Sequence, residues 1–301
     1  MLTVVIPAYN AQDYIDRAVT SVRGFDGVEV LIVDDGSRDK TAQIADEWVA
    51  RDPEHIRVIH QENAGHGGAV NAGIASARGR YLKILDADDW LDRLALKRAL
   101  ERLALREEQG EPLDLLVANY VYEKQGKSHK AVIRYGNVIP RDRVVSWDEV
   151  KRCRYDQYLM MHALILRTEL VRECGLVLPT HTFYVDFIYS FVTVIDVRTF
   201  EYLDVDLYRY FIGRDDQSVN EQVMISRVDQ LLRVNAAMVD AIPHPDDVPP
   251  KLYRYLVHYL RINCVICTVM LLRSGTEENA ARKEELWAQL EAKKPEAYRA
   301  V

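Results

Sequence analysis

Apolar and polar residues fall into blocks that read alternately as strand and helix. Leu2–Pro7 is a continuous, largely β-branched apolar run, expected to be a buried strand closed by Pro7. Ala11–Arg23 carries apolar residues at Tyr14, Ile15, Ala18, Val19 and Val22, a helical period, and Gly24–Gly27 breaks it. Val28–Val33 predicts a second buried strand, ending in Asp34-Asp35-Gly36-Ser37. Thr41–Val49 predicts a helix opened by Ser37 or Asp39. Ile56–His60 is a third strand, Asn63–Gly68 a glycine-rich loop, and Ala69–Ala77 a helix ended by Gly79. Tyr81–Leu85 is a fourth strand, and it runs straight into Asp86-Ala87-Asp88-Asp89.

The later pattern is looser. Leu94–Arg106 reads as a charged amphipathic helix and Leu113–Tyr122 as a strand, with a further strand over Ala131–Tyr135. Pro140–Val150 reads as loop and helix start, and Met160–Leu166 as a strand. Thr168–Cys174 and Phe183–Val194 predict helices, Val205–Phe211 a strand, and Gln222–Ala241 a helix. After the proline-rich Pro243–Pro250, a linker between modules, Leu252–Leu272 and Ala280–Ala292 predict a helical pair.

Strands alternating with helices imply an α/β fold with a mostly parallel central sheet and a C-terminal helical extension. The expected division is residues 1–122 for one half of the main domain, 123–242 for its other half, and 243–301 for the extension. In such sheets ligands bind outside the carboxyl ends of the strands. Tyr9, Asn10, Asp34, Asp35 and the Asp86–Asp89 cluster all follow strand ends, so they are expected to converge.

Composition narrows the class without changing the picture. The chain has 301 residues, 49% hydrophobic and 28% charged, like an ordinary globular protein. A net charge of −7 argues against nonspecific nucleic-acid binding. Met1–Asn10 has no basic stretch before its strand, so no signal peptide is expected. The most membrane-like segment, Leu256–Leu272, is interrupted by His258, Arg261 and Asn263. Four cysteines do not make a disulfide framework, and a reduced, cytoplasmic enzyme is the expectation. Cys264 and Cys267 sit three apart in an apolar helix and read as buried thiols.

Three carboxylates within Asp86–Asp89 repel one another and call for a compensating cation. Oxygen ligands suit Mg²⁺ or Mn²⁺, whose remaining positions commonly take substrate phosphates. Taken alone, the same residues also read as an acidic turn capping the next helix, and Asp34-Asp35-Gly36-Ser37 as a helix start.

Six motifs, in order and spacing, resemble the family 2 glycosyltransferases of GT-A fold. They are Val4–Asn10, Val33–Thr41, Asn63–Gly65, Asn71–Gly73, Ala77–Tyr81 and Leu85–Asp89. The resemblance implies an inverting enzyme that moves a sugar from a nucleotide-sugar, a UDP-sugar by expectation, to an acceptor hydroxyl. It implies that Pro7, Tyr9 and Asp35 line the nucleoside pocket, with Asn10 and Asp34 beside them. Asp86 and Asp88 look like the family's D-x-D pair, Asp86 near the ribose and Asp88 on the metal, with Asp89 an alternative ligand. Asp186 matches the family's catalytic base, although Val185 stands where Glu is common; a helix cap is the other reading. A carboxylate among aromatics should titrate high, as a base requires. Arg214 and Gln217 resemble a loop near the diphosphate, or else form a surface turn. His162 resembles a histidine beside the metal, or is a core histidine. His66 and Lys83 could touch donor or phosphate.

The resemblance further implies a saccharide or lipid-linked acceptor, in polysaccharide or glycolipid synthesis at the inner face of the membrane. Tyr253, Tyr255 and Tyr259 with Arg254 and Arg261 suit a membrane surface, or packing on the main domain. The rival readings are a non-catalytic nucleotide-binding module and a sugar-phosphate nucleotidyltransferase. The latter needs a glycine-rich loop with lysine after the first strand, where this chain has Pro7-Ala8-Tyr9-Asn10.

Overall fold

The computed structural model describes residues 1–124, 126, 130–213 and 220–301. Its first half alternates as read: β1 (Leu2–Ala8), α1 (Ile15–Val22), β2 (Val28–Asp34), α2 (Thr41–Arg51), β3 (Ile56–His60), α3 (Gly65–Ser76) and β4 (Tyr81–Ile84). One boundary moves. The glycine-rich stretch is already helical from Gly65, because Gly65 takes a positive φ of 75° against the backbone of His181 and starts the turn.

Then come β5 (Trp90–Leu91), α4 (Arg93–Glu108), β6 (Leu115–Lys124), β7 (Ala131–Ile133), β8 (Val144–Val145), β9 (Leu164–Arg167), α5 (Thr168–Glu173), α6 (Val185–Ile195) and β10 (Phe200–Ile212). Trp90-Leu91 had no strand signal of its own. It is a strand only because Tyr208 and Arg209 of β10 pair with it. Asp92 caps α4 through the amides of Leu94 and Ala95. The segment read as a strand over Met160–Leu166 begins instead as a 3₁₀ turn at Met161–Ala163.

The sheet has ten strands, in the order β3-β2-β1-β4-β9-β6-β10-β5, with β7 on β6 and β8 on β10. The β3-β2-β1-β4 run is parallel, and so is β6 with β10. β9 lies antiparallel between β4 and β6 and joins the two halves into one sheet.

β1 stays paired with β2 through Ala8↔Asp34, but with β4 only through Val5↔Ile84. Val5 still accepts from the amide of Leu85 at 2.9 Å. Pro7, two residues on, points its imino nitrogen the same way, where β4 has left. A residue without an N–H costs nothing there. The parting of β1 and β4 opens a crevice at the carboxyl ends of the two strands.

The remaining helices are α7 (Glu221–Ser226), α8 (Val228–Ala241), α9 (Pro250–Arg273), α10 (Glu277–Lys293) and α11 (Pro295–Ala300). The single helix expected over Gln222–Ala241 is broken at Arg227 (φ −114°, ψ 23°), between an α7 that buries nothing and an α8 that buries an apolar face. α9 buries Leu252, Tyr255, Leu256, Tyr259, Leu260, Cys264 and Cys267 in the same continuous core as the sheet. By length and hydropathy α9 could cross a bilayer, which its sequence argued against, but 56% of its most apolar window is buried inside the protein.

Gly73 lets α3 lie directly on β1. A Cβ there would sit 2.2 Å from Cγ1 of Val5, which is itself fully buried. Overpacking of this kind costs about 1–3 kcal/mol. The helix-propensity gain of Gly→Ala returns only about 1 kcal/mol. Gly73→Ala is therefore predicted to lower stability by up to about 2 kcal/mol, read as a lower urea midpoint with unchanged slope.

Candidate active site

A cleft of about 550 Å³ opens at the carboxyl ends of the parallel strands. Of the residues singled out in the sequence, Pro7, Tyr9, Asn10, Asp35, His66, Asp86 and Asp88 all line it. They come from three strand ends and the start of α3, so the convergence expected from strand order is observed.

The β1 end offers an aromatic wall. Tyr9 is 48% exposed, a large ring left open to the cleft. Asn10 adopts a left-handed conformation (φ 49°) and ties two strand ends together. Its side chain accepts from the amide of Arg38 at 2.8 Å, and its amide donates to Ser37 at 3.0 Å.

The two aspartates after β2 part company. Asp35 is buried at the cleft; its Oδ1 accepts from the amide of Ala64 (2.8 Å) and from Gln61 (2.7 Å). Asp34 instead accepts from the amide of Ser37 (3.1 Å) and lies 2.9 Å from Nδ1 of His60. It braces the turn after β2 and is absent from the cleft lining, but it does not cap a helix: α2 starts at Thr41, whose amide donates to Asp39 at 2.9 Å.

The acidic cluster is held by a cradle of donors. Nε2 of His66 lies 2.8 Å from Oδ1 of Asp86. Burial pushes the Asp86 carboxyl up, but His66 above all, with His162 and Lys83, outweighs it and the net shift is downward. Burial pushes His66 down, and Asp86 more than reverses that, so its net shift is upward. Asp89 is wholly buried and accepts from the hydroxyl of Tyr208 (2.6 Å) and the amide of Phe211 (2.7 Å). Burial and the neighbouring Asp88 and Asp86 push it well above the ordinary range. The Asp88 carbonyl accepts from Arg17 at 2.6 Å.

Lys83 takes a role other than substrate contact. Its ammonium is fully buried behind the cluster and donates to the carbonyls of Met161 (3.1 Å), His162 (2.5 Å) and Leu164 (3.1 Å). Burial pushes it down to about 7, against the pull of Asp86 and Asp89. It therefore fixes the backbone that carries His162. Burial likewise pushes His162 down to about 4, so the imidazole is neutral at pH 7.

Both ring nitrogens of His162 are buried and without a hydrogen-bond partner, and Nε2 lies 3.9 Å from Oδ2 of Asp86. One ligand atom each from Asp86, Asp89 and His162 falls within 4.8 Å of the others. An orphaned neutral imidazole is costly unless something binds it. Two carboxylates beside it fit a divalent cation. Asp88 is outside this trio and stands on the cleft wall.

Asp186 lies in the first turn of α6. Burial raises it to about 6; Asp86 adds to the rise and His66 opposes it. Tyr184 before it is left-handed (φ 64°), as is His181 (φ 47°), and such strain gathers at functional sites. Phe187 after it stacks on Tyr158, ring centroids 5.7 Å apart.

Some neighbours of the site had not been read from the sequence. His181, Thr182 and Phe183 form part of the cleft wall, and Tyr208 and Tyr210 enclose His162 at 4.6 and 4.4 Å between ring centroids. The Tyr residues alternate along β10, but nothing local says which face meets the acidic turn. Arg214 and Gln217, expected at the diphosphate, lie outside the described residues.

The comparisons agree with this geometry. The family model for glycosyl transferase family 2 matches residues 3–153. EpsH of Bacillus subtilis is 34% identical over 131 residues, 42% of this chain and 36% of its own length. The succinoglycan biosynthesis protein ExoO of Rhizobium meliloti is 42% identical over 103 residues, 34% of this chain and 29% of its own. The matches thus span about a third of these curated relatives. Among solved structures, residues 1–349 of TarS from Staphylococcus aureus, in complex with UDP-GlcNAc, give a TM-score of 0.73 at 18% identity, covering 99% of this chain and 83% of that one. The mannosyltransferase PcManGT of Pyrobaculum calidifontis, with GDP-Man and Mn²⁺, gives 0.59 at 19% identity, covering 99% and 81%. The fold is therefore GT-A, C-terminal helices included.

The Asp186 shift has a stability consequence with a definite sign. The folded value (about 6) exceeds the ordinary 3.8, so the folded state holds the proton more tightly and stability falls as pH rises between them. In metal-free protein, Asp186→Asn is predicted to unfold like wild type near about pH 4 and to be more stable near about pH 7.5, by at most about 3 kcal/mol. Urea melts at the two pH values check this.

Proposed function

Since this chain belongs to glycosyl transferase family 2, we propose that it transfers a sugar from a nucleotide-sugar, a UDP-sugar, to an acceptor hydroxyl with inversion. The observation that carries this is the meeting of Asp35, His66, Asp86 and Asp88 on one cleft, with the elevated Asp186 within electrostatic reach of Asp86 and His66. Relatives named for glycosyl transfer and for succinoglycan biosynthesis, and solved neighbours holding UDP-GlcNAc or GDP-Man, support the same reading.

In this proposal residues 1–122 bind the donor and 123–242 the acceptor, with 243–301 as a helical buttress. The open ring of Tyr9 stacks on the nucleobase, and Asp35 accepts from a base N–H. Asp86, oriented by His66, faces the ribose and the cation together. Asp88 on the cleft wall, with Asp86 and His162, holds the cation; Asp89, braced by Tyr208 and Phe211, completes the set. An imidazole among carboxylates favours Mn²⁺ over Mg²⁺, which prefers an all-oxygen shell. Bound there, a divalent cation supplies Lewis-acid neutralisation of the departing diphosphate.

The chain's own chemistry is proton transfer. The acceptor oxygen bonds to the anomeric carbon as the bond from that carbon to the diphosphate oxygen breaks. Asp186, ionised above about 6, takes the acceptor proton. The acceptor belongs to polysaccharide or glycolipid synthesis, and four free cysteines agree with a reducing, cytoplasmic setting.

Two measurements test this. Mn²⁺ should raise Tm in wild type and shift it far less in His162→Ala and Asp88→Asn; equal shifts in all three would remove these residues from the cation site. With Mn²⁺ present, UDP release from a UDP-sugar should fall about 10²–10⁴-fold in Asp186→Asn, with nucleotide affinity unchanged. In wild type, kcat/KM should fall below about pH 6. Nucleotide binding without any turnover in wild type would favour the non-catalytic module instead.

A further inference from the structure

A second cleft, of about 420 Å³, lies between the segment after the Trp147–Glu149 turn and one face of α9. Lys151 and Arg152 form one wall. Lys251, Arg254, His258 and Arg261 form the other, at helical spacings of three, four and three, which sets them on one face. No carboxylate side chain lines it.

Several cations elsewhere are held by carboxylates. Arg102 and Arg106 meet Glu201, Arg134 meets Asp204 and Asp206, and Arg209 meets Asp92 and Glu123. In the second cleft none of Lys151, Arg152, Arg254 and Arg261 makes an ion pair among the described residues. The carboxylate of Glu149, close by in sequence, is bonded to Arg143 instead, and Lys251 donates to the backbone carbonyl of Asp148.

The cleft is also built. Gln157 is buried, and its carbonyl accepts from Nε2 of His258 at 2.9 Å. That leaves Nδ1 of His258 to accept from Arg261 at 3.1 Å, so a neutral histidine holds the guanidinium at the cleft. Glu149 lies within electrostatic reach of Lys251, but Lys151, Arg152, Arg254 and Arg261 have no carboxylate bonded to them among the described residues, and a bound anion would relieve the repulsion among these cations. Guanidinium groups with lysines suit the oxygens of a phosphate.

We propose that this cleft is a phosphate-ester binding site, separate from the donor cleft. It shares a segment with the first site. Gln157 is followed by Tyr158, which stacks on Phe187 beside Asp186 and on Tyr259 of α9, and the same stretch leads to His162. The phosphate ester is either carried by a soluble acceptor or presented by a lipid headgroup. Phosphate binding at this site goes beyond the transferase reading; only the assignment of that phosphate to an acceptor rests on it.

The test uses the full chain at low salt with two probes, glycerophosphoglycerol in solution and vesicles of phosphatidylcholine with phosphatidylglycerol. Arg254→Gln/Arg261→Gln and Lys151→Gln/Arg152→Gln remove charge from opposite walls. Wild type should bind at least one probe, less tightly as salt rises, and each double variant should bind about tenfold or more weakly. Mn²⁺-dependent UDP release should stay within about twofold, since no residue of the first cleft is touched. Binding to vesicles alone assigns a lipid headgroup; binding to the soluble diester assigns a phosphate-bearing acceptor. If wild type binds neither probe, or both variants bind as wild type does, the proposal is overturned.

Discussion

The structure depends on how three carboxylates are kept together at the end of one strand. Asp86, Asp88 and Asp89 would drive the turn apart without compensation. Each neighbour answers part of that charge. His66 from the start of α3 bonds Asp86, and Tyr208 and the Phe211 amide from β10 bond Asp89. Lys83, buried behind them, bonds the backbone around His162. The acidic turn therefore joins both halves of the sheet. What is left unanswered is an orphaned imidazole beside a carboxylate, a donor set that fits a divalent cation.

The backbone supplies the room for this. β1 and β4 pair for four residues and then separate, while β1 continues beside β2. Pro7 stands beyond the last β1–β4 pair, where a missing N–H leaves no ladder bond unmade. Gly65 and Gly73 bring α3 close to the His181 segment and to Val5, which delivers His66 to the cleft.

The C-terminal helices belong to the same core, so they bear on the site through packing. Tyr255 accepts from the amide of Leu159, and Tyr259 stacks on Tyr158 at 4.7 Å. Both contacts lie on the stretch leading to His162. The face of α9 turned away from the core carries the basic groups of the second cleft. One helix thus supports the first site with its apolar side and offers a second with its polar side.

The sequence by itself determined the β-α-β-α-β-α-β order, the buried strands, and the set of strand ends where polar residues collect. Those features follow from local periodicity and from the rule that strands of a parallel sheet present their carboxyl ends together. It also determined which aspartates to consider at Asp34–Asp35 and Asp86–Asp89. It did not separate Asp34, turned to Ser37 and His60, from Asp35, turned to the cleft, because a bracing turn and a ligand-facing strand end use the same residue types. It could not make Trp90-Leu91 a strand, since that pairing is supplied by residues more than a hundred positions away. It gave Lys83 no more than a weak claim on substrate, whereas burial and three carbonyls make it a brace. Those assignments belong to the tertiary structure because burial, charge compensation and pKa arise from groups distant in the chain, and only folding sets the distances between them.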